Sequence, residues 1–253
     1  MVMDRREYLF VYDAALDEPR HARSIAALEA AFASLELRGR TVRASEWRSP
    51  HDAVRAASKD GAAAIVVVGS DATFSYISDA VLGSRVPIGY VPMLGASALA
   101  ETLSIPVGVE AAKVLAARHL DRVAAIGIDG KKVVLGGIRV EGVGVRVVSG
   151  DGWAVRLCVP GVLEVRGQSR VAPGQTPRLE LVIAPRGEPP SRWRPVPAAE
   201  PSRLFTGQAV VDGIPPGATV WMDSRSVGCR SFRAEALPDA LTFITGRPKP
   251  SPR

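Results

Sequence analysis

Hydrophobic and polar positions follow two different periods along this chain, and the change occurs near residue 120. Before it, continuous apolar runs alternate with segments whose apolar residues recur every three or four positions, the spacing of one helical face. After it, short segments alternate with a period of two and are separated by glycine and proline turns. The pattern predicts a doubly wound α/β half with a parallel sheet, followed by an antiparallel β-sandwich.

Several segments of the first half have a pattern that fixes their type. Residues 62–69 (AAAIVVVG) are a continuous apolar run, which is typical of a parallel strand buried on both faces. Ser49 and Pro50 are residue types that start helices, and Gly61 is one that ends them. The other predicted elements are strands at 8–12 and 86–91, helices at 25–35, 97–103 and 109–119, and one helix with its apolar face at Phe74, Ile77, Val81 and Leu82.

The change of period predicts two domains. We expect residues 1–120 to form the α/β domain and residues 121–246 to form the β-sandwich domain. Residues 247–253 are expected to be a disordered tail. Residues 185–203 (PRGEPPSRWRPVPAAEPSR) are too rich in proline for regular structure, so this segment is predicted to be a loop.

Composition and charge limit the classes of function. The formal net charge is +6 at pH 7, which favours anionic ligands. The positive charge is mostly arginine without a lysine- or arginine-rich run, so we expect no nucleic-acid partner. The two cysteines and three histidines lack metal-site spacing. No apolar run reaches the roughly 18 residues of a membrane span, and charges occupy the place of an export signal's apolar core. We therefore expect a cytoplasmic protein.

Two turns have the composition of ligand-binding turns in doubly wound sheets. Residues 69–73 (GSDAT) follow one apolar strand, and residues 92–97 (PMLGAS) follow the next. At the carboxyl ends of parallel strands, such turns bring backbone N–H groups close to phosphate. Asp71 is a candidate to orient a magnesium ion or a ribose hydroxyl. Thr73 and Ser97 either bond phosphate oxygens or cap their helices.

Residues 66–106 (VVVGSDATFSYISDAVLGSRVPIGYVPMLGASALAETLSIP) resemble the nucleotide-binding core of the diacylglycerol kinase catalytic-domain family, which includes sphingosine kinases and bacterial lipid kinases. Residues 218–246 (ATVWMDSRSVGCRSFRAEALPDALTFITG) look like that family's closing passage. The resemblance implies a nucleotide-binding α/β domain joined to a β-sandwich. It also implies that ATP with magnesium donates a phosphoryl group to a lipid hydroxyl, in a cleft between the domains.

The resemblance assigns roles to particular positions. Gly69, Asp71 and Thr73 keep the family's first glycine-rich turn, and Asp223 keeps the aspartate of a later acidic turn. The implied catalytic residues are therefore Asp71 and Asp223, with Asp71 also the implied magnesium ligand. The implied nucleotide contacts are Gly69, Ser70, Asp71, Thr73, Gly95 and Ser97.

Four departures from the family pattern coincide at the implied site. Ser70 and Ala72 replace glycines, and a side chain there restricts both backbone conformation and the approach of phosphate. Residues 94–98 (LGASA) replace a Gly-Thr-Gly-Asn-Asp stretch and so remove an amide and a carboxylate. Residues 224–225 (SR) stand where glycine and glutamate are expected, and residues 12–15 (YDAA) where relatives have an Asn-Pro turn.

These departures leave more than one function open. The first is lipid kinase-like, ATP-dependent phosphoryl transfer to a lipid or small-molecule hydroxyl. The second is non-catalytic nucleotide or lipid binding, and a distant alternative is NAD kinase-like activity, because NAD kinases use a similar turn. Trp193, between two arginines, either makes peripheral contact with a membrane surface or covers the sandwich edge.

Overall fold

A computed structural model describes residues 7–45, 49–168, 175–185, 200–223 and 225–246. The chain divides into two compact units. Unit 1 comprises Met1–Val123 and Asp239–Arg253, and unit 2 comprises Ala124–Pro238. The predicted membrane contact at Trp193, the departure at Ser224 and the tail at 247–253 lie outside the described residues.

Unit 1 is a parallel sheet with helices, as the first half of the sequence predicts. The C-terminal part of the chain's last strand joins this sheet. The elements up to residue 117 are β1 (Tyr8–Asp13), α1 (Ala22–Ser34), β2 (Gly39–Ala44), α2 (His51–Asp60), β3 (Ala64–Gly69), α3 (Asp71–Ser75), α4 (Ser78–Val81), β4 (Ile88–Pro92), α5 (Ala98–Leu103) and α6 (Ala111–Ala117).

The strand order of unit 1 defines where its carboxyl edge can bind a ligand. The order is β2-β1-β3-β4, and β1 pairs in parallel with both β2 and β3. The chain therefore leaves β1 towards one neighbour and returns on its other side. In open α/β sheets, ligands bind outside the carboxyl ends of the strands at such a reversal. The predicted turn 69–73 begins at this position, directly after β3.

Local sequence explains the ends of several unit 1 elements. All six residues of β3 are buried, as its continuous apolar sequence predicts. α2 ends at Gly61, which adopts the left-handed conformation (φ 73°) that glycine tolerates. Phe10 of β1 stacks on Phe32 of α1, with ring centroids 4.7 Å apart, so α1 packs against the sheet and both rings are buried.

Two features of unit 1 differ from the sequence prediction. The single helix predicted after Gly69 is broken into α3 and α4, because the N–H groups of Tyr76 and Ile77 bond to carbonyls three residues back and tighten the chain. Asp239–Arg253 belongs to unit 1, although the predicted sandwich domain extends to residue 246. The end of the chain belongs to unit 1 because Phe243 of the last strand pairs in parallel with Ile88 of β4.

Unit 2 is built almost entirely of antiparallel strands. Two strands at its borders, β5 and β16, begin in one unit and end in the other. The strands are β5 (His119–Ile128), β6 (Lys132–Val134), β7 (Ile138–Gly142), β8 (Arg146–Ser149), β9 (Ala154–Arg156), β10 (Gly161–Gly167), β11 (Leu179–Pro185), β12 (Ser202–Thr206), β13 (Gln208–Asp212), β14 (Val220–Met222), β15 (Arg225–Val227) and β16 (Phe232–Thr245).

The strands of unit 2 form two layers around one apolar core. One layer is a six-stranded sheet in the order β12-β11-β10-β7-β14-β15. In the other, β13 pairs with β8 and with the first half of β16. Buried side chains from both layers, such as Leu163 and Val211, belong to a single cluster. The fold is thus an α/β unit with a β-sandwich, as predicted. None of the described helices has the length and apolarity needed to cross a membrane.

Candidate functional site

The turn after β3 is held by a close approach that only glycine permits. A Cβ atom added to Gly69 would lie 2.4 Å from Thr73 Oγ1 and 2.8 Å from the Cβ of Asp13. The Gly69 carbonyl accepts hydrogen bonds from the N–H groups of Met93 (2.8 Å) and Leu94 (3.2 Å), which begin the turn after β4. The two turns predicted to bind phosphate are therefore adjacent and directly hydrogen-bonded.

Asp71 connects the same two turns through its side chain. Its Oδ1 accepts from the Tyr90 hydroxyl at 2.9 Å and from the Ser97 hydroxyl. Its Oδ2 accepts a longer bond, 3.3 Å, from the backbone N–H of Leu99 in α5. Ser97 in turn accepts from the N–H of Ala100 at 2.9 Å, so it caps α5. Of the residues predicted to bind nucleotide, Asp71 and Ser97 are in direct contact.

Thr73 connects the turn after β3 to the end of β1. Its hydroxyl accepts from the N–H of Ser70 at 2.8 Å and donates to Asp13 Oδ2 at 2.6 Å. Asp13 Oδ1 accepts from the N–H of Ala15 at 2.9 Å. Thr73 is fully buried, and together with Ser70 it forms a capping box at the start of α3. The reversal between β1 and β3 is thus bridged by a hydrogen bond.

Backbone N–H groups at both turns remain available for an anion. Asp71 and Ala72 open α3, and within the described ranges their N–H groups have no protein acceptor. The same holds, over those ranges, for Gly95 and Ala96, which are exposed. Gly95 has a φ of 79°, a left-handed conformation suited to glycine. These four N–H groups could donate hydrogen bonds to phosphate oxygens at this edge.

Two buried tyrosines flank this edge of the sheet. Burial raises the pKa of the Tyr90 phenol well above its ordinary value; the hydrogen bond with Ser97 lowers that pKa, whereas the negative charge of Asp71 raises it further. Burial also raises the pKa of Tyr12 to about 12; Glu29 adds to the shift, and Arg43, stacked 4.8 Å from the ring centroid, opposes it. Both phenols therefore stay protonated in the folded protein at neutral pH.

The raised pKa values predict that stability falls at alkaline pH. The pKa of an unfolded tyrosine is about 10, whereas the pKa of Tyr12 in the folded protein is about 12. The contribution of Tyr12 to stability is therefore complete below the unfolded pKa and is lost as pH rises through the folded pKa. Urea unfolding across this alkaline range should show the decline, and Tyr12→Phe should make it shallower. An equally steep decline in Tyr12→Phe would contradict the assignment.

Asp223, the second implied catalytic carboxylate, lies in unit 2. It follows β14, adopts a left-handed backbone conformation (φ 46°) and is 6% exposed. Its Oδ1 and Oδ2 accept from the N–H of Leu135 at 3.1 and 3.0 Å, and Oδ1 also accepts from the N–H of Gly136. The Asp223 N–H donates to the Gly137 carbonyl at 3.1 Å. Asp223 thus holds the chain between β6 and β7.

The residues described do not fit a resident magnesium ion. Within the described ranges, no group of three or more histidine, cysteine, aspartate or glutamate residues is placed to hold a metal. Both oxygens of Asp71 and both oxygens of Asp13 already accept hydrogen bonds from the protein. Magnesium binds through one or two carboxylates together with substrate phosphates. A magnesium ion acting at this edge would therefore arrive as part of the MgATP complex.

A model of a known protein family matches part of the chain. Residues 18–129 match the diacylglycerol kinase catalytic domain. The resemblance inferred from the sequence is thereby confirmed over this region, which includes both turns. No curated protein sequence matches the chain.

Solved structures show the same fold over nearly the whole chain. A crystal structure of diacylglycerol kinases from Bacillus anthracis str. Sterne superposes with a TM-score of 0.69 at 13% identity and covers 95% of this chain and 97% of that one. A provisionally assigned diacylglycerol kinase from the same organism gives a TM-score of 0.72 at 12% identity, with the same coverage. At these identities the likeness shows the fold of the diacylglycerol kinases.

Sequence reasoning missed two residues that shape the turns. Tyr90 lies within the apolar run of β4, and its hydroxyl alone distinguishes it from a core side chain. Asp13 was noted only as part of a segment that departs from the family, although its carboxylate contacts Thr73. An aspartate at the carboxyl end of a buried strand was the signal that could have identified it.

Proposed function

We propose that this protein is a lipid kinase-like phosphotransferase that binds ATP at the carboxyl edge of the unit 1 sheet and transfers its terminal phosphoryl group to the hydroxyl of a lipid or small molecule. The observation that carries this proposal is the direct pairing of the two turns of the matched family domain, through the Gly69 carbonyl and the Asp71 carboxylate.

The geometry of the turns supports phosphate binding. The N–H groups of Asp71, Ala72, Gly95 and Ala96 have no acceptor within the described residues, and the turns that carry them are fixed to each other. Backbone N–H groups in a fixed turn bind phosphate oxygens without further rearrangement. Phosphoryl transfer requires mainly that the phosphates are positioned and their charge is compensated. This chain would supply the positioning.

A second candidate function is nucleotide binding without transfer. Both implied catalytic carboxylates accept hydrogen bonds from their own unit: Asp71 from Tyr90, Ser97 and Leu99, and Asp223 from the backbone after β6. A carboxylate that must accept the proton of an attacking hydroxyl needs an oxygen facing that hydroxyl. The engagement of both carboxylates is the observation that supports this second candidate.

The experiment that separates the two candidates measures binding and transfer on the same sample. The full-length protein is incubated with labelled MgATP and diacylglycerol vesicles, and label in the lipid is counted. In parallel, its melting temperature is measured with ATP, since a ligand that binds only the folded state must raise stability. Stabilisation with transfer supports the kinase, and stabilisation without transfer supports the binding protein. No stabilisation and no transfer would contradict both.

Asp71→Ala provides the residue-specific test of the proposed site. We expect it to lower both the ATP-induced stabilisation and any transfer at least tenfold, because it removes the side-chain link between the two turns. Asp52→Ala is the matched control: it removes an exposed carboxylate from α2 in the same unit. If the two variants behave alike, Asp71 has no part in the function.

A further inference from the structure

Asp71 occupies the position implied for a magnesium ligand, but its carboxylate already accepts hydrogen bonds from protein donors. Oδ1 accepts from two hydroxyl groups, those of Tyr90 and Ser97, and Oδ2 accepts from the N–H of Leu99. A carboxylate offers about four lone-pair positions, and these three bonds fill most of them. The oxygen with two partners has no position left for a cation.

We propose that Asp71 is a positioning residue, which locks the turn after β3 to the start of α5, and that ATP binding at this edge does not depend on a magnesium ion held by Asp71. The inference rests on the nucleotide binding proposed above. It assigns Tyr90 a role as well, as the buried donor that orients the Asp71 carboxylate.

Tyr90 acts through its side-chain neighbours Asp71 and Ser97 and not by contact with a ligand. Its side chain is 1% exposed and lies in the interior of β4, where a ligand cannot reach it. Its hydroxyl donates to Asp71 Oδ1 at 2.9 Å. A buried hydroxyl needs a partner, so the Tyr90 hydroxyl and the Asp71 carboxylate each fix the other. The result is one rotamer of Asp71, with Oδ1 held towards Ser97.

Ser97 links the Asp71 carboxylate to the turn after β4 and to the start of α5. Its hydroxyl donates to Asp71 and accepts from the N–H of Ala100, so the start of α5 is fixed relative to Asp71. On its other side, the turn after β3 is fixed to β1 by the bond from Thr73 to Asp13. The turn is therefore held from both neighbouring strands. Its free N–H groups are positioned before any ligand arrives, which lowers the entropy cost of binding.

The first test measures the lock itself by a double-mutant cycle, without any nucleotide. We expect Tyr90→Phe to lower the folding equilibrium constant roughly fivefold in the wild-type background, the usual effect of losing one buried hydrogen bond. In the Asp71→Ala background the same change should cost about twofold or less, because the acceptor of the Tyr90 hydroxyl is gone. Equal losses in the two backgrounds would overturn the lock.

The second test measures ATP affinity by calorimetry, once with magnesium and once with EDTA. Tyr90→Phe should weaken binding by roughly three- to tenfold under both conditions. Asp71→Asn keeps an oxygen that accepts from Tyr90 and Ser97, so it should bind within about threefold of wild type under both conditions. Tyr8→Phe removes a hydroxyl at the opposite end of the same sheet and should leave affinity unchanged.

If Asp71 were instead a magnesium ligand, the affinities of the variants would follow a different pattern. Asp71→Asn would then lose affinity only when magnesium is present, and that result would overturn the inference. If the wild-type protein bound no ATP under either condition, the proposed function would be overturned. The inference that ATP binds without a magnesium ion held by Asp71 would be overturned with it. The folding cycle would still decide separately whether Asp71 and Tyr90 form the lock.

Discussion

Replacing Asp223 by alanine is expected to destabilise unit 2 by about 2–4 kcal/mol, since the buried N–H of Leu135 and the partly buried N–H of Gly136 lose their acceptor. The N–H groups of Leu135 and Gly136 bond to this carboxylate, which is 6% exposed. Alanine also tolerates the left-handed φ of 46° less well than aspartate does. Asp223 is thus predicted to be needed for folding, whatever its part in catalysis.

Asp223→Asn is the matched control for this prediction. Asparagine keeps one acceptor oxygen and tolerates the left-handed conformation, so about half of the loss or less is expected. Urea unfolding followed by tryptophan fluorescence suits the measurement, because Trp153 packs against the core of unit 2. Equal stability of Asp223→Ala and wild type would show that the contacts with Leu135 and Gly136 contribute nothing.

Replacing Gly69 by alanine is expected to cost about 2–3 kcal/mol and to abolish ATP-induced stabilisation. The added Cβ would lie 2.4 Å from Thr73 Oγ1 and 2.8 Å from the Cβ of Asp13, well inside van der Waals contact. The turn must shift to relieve these contacts. Such a shift breaks the bonds from Met93 and Leu94 to the Gly69 carbonyl, and with them the pairing of the two turns.

Gly207→Ala is the control for Gly69→Ala, because a Cβ at Gly207 meets nothing within 4 Å. We expect it to change the melting temperature by less than about 2 °C, since neither overlap nor strain follows from the added methyl group. The measurement is thermal unfolding with and without ATP. A Gly69→Ala protein that melts and binds like wild type would contradict the close packing of the turn.

The local periodicity was sufficient to predict most of the secondary structure. The apolar run at 62–69 contains β3 (Ala64–Gly69), and the predicted helix end at Gly61 is observed with the left-handed φ. Local pattern does not specify which strands pair. The apolar segment that ends β16 has the composition of a sandwich strand, yet Phe243 pairs with Ile88 of unit 1. Pairing partners depend on tertiary packing, which period alone does not encode.

The sequence located the candidate site but did not reveal its internal bonding. Asp71 and Thr73 were identified because they match the family's first turn, and Ser97 was identified from its place in the second turn. The sequence did not identify Tyr90, since an aromatic residue in an apolar strand has the pattern of a core side chain. It also could not identify the N–H of Leu99, because backbone donors carry no side-chain signal.

The structure shows how the chain accommodates two of its departures from the family pattern, at Ser70 and at Ser97. Ser70 has a φ of −112°, a conformation open to any residue, so the loss of this glycine causes no strain. Its N–H is bonded to Thr73. Ser97 lies in the stretch that lost the family's amide and carboxylate, and it bonds to Asp71 instead. The turns are therefore well ordered by a different set of contacts.

Amide chemical shifts of the isotopically labelled protein during an ATP titration test the central claim most directly. If the two turns hold the phosphates, the N–H signals of Asp71, Ala72, Gly95 and Ala96 should move together and saturate with one affinity, because these donors have no acceptor within the described residues. Signals at the amino end of the sheet, such as Tyr8, should stay in place. Shifts confined to other parts of the chain, or none at any ATP concentration, would contradict the account.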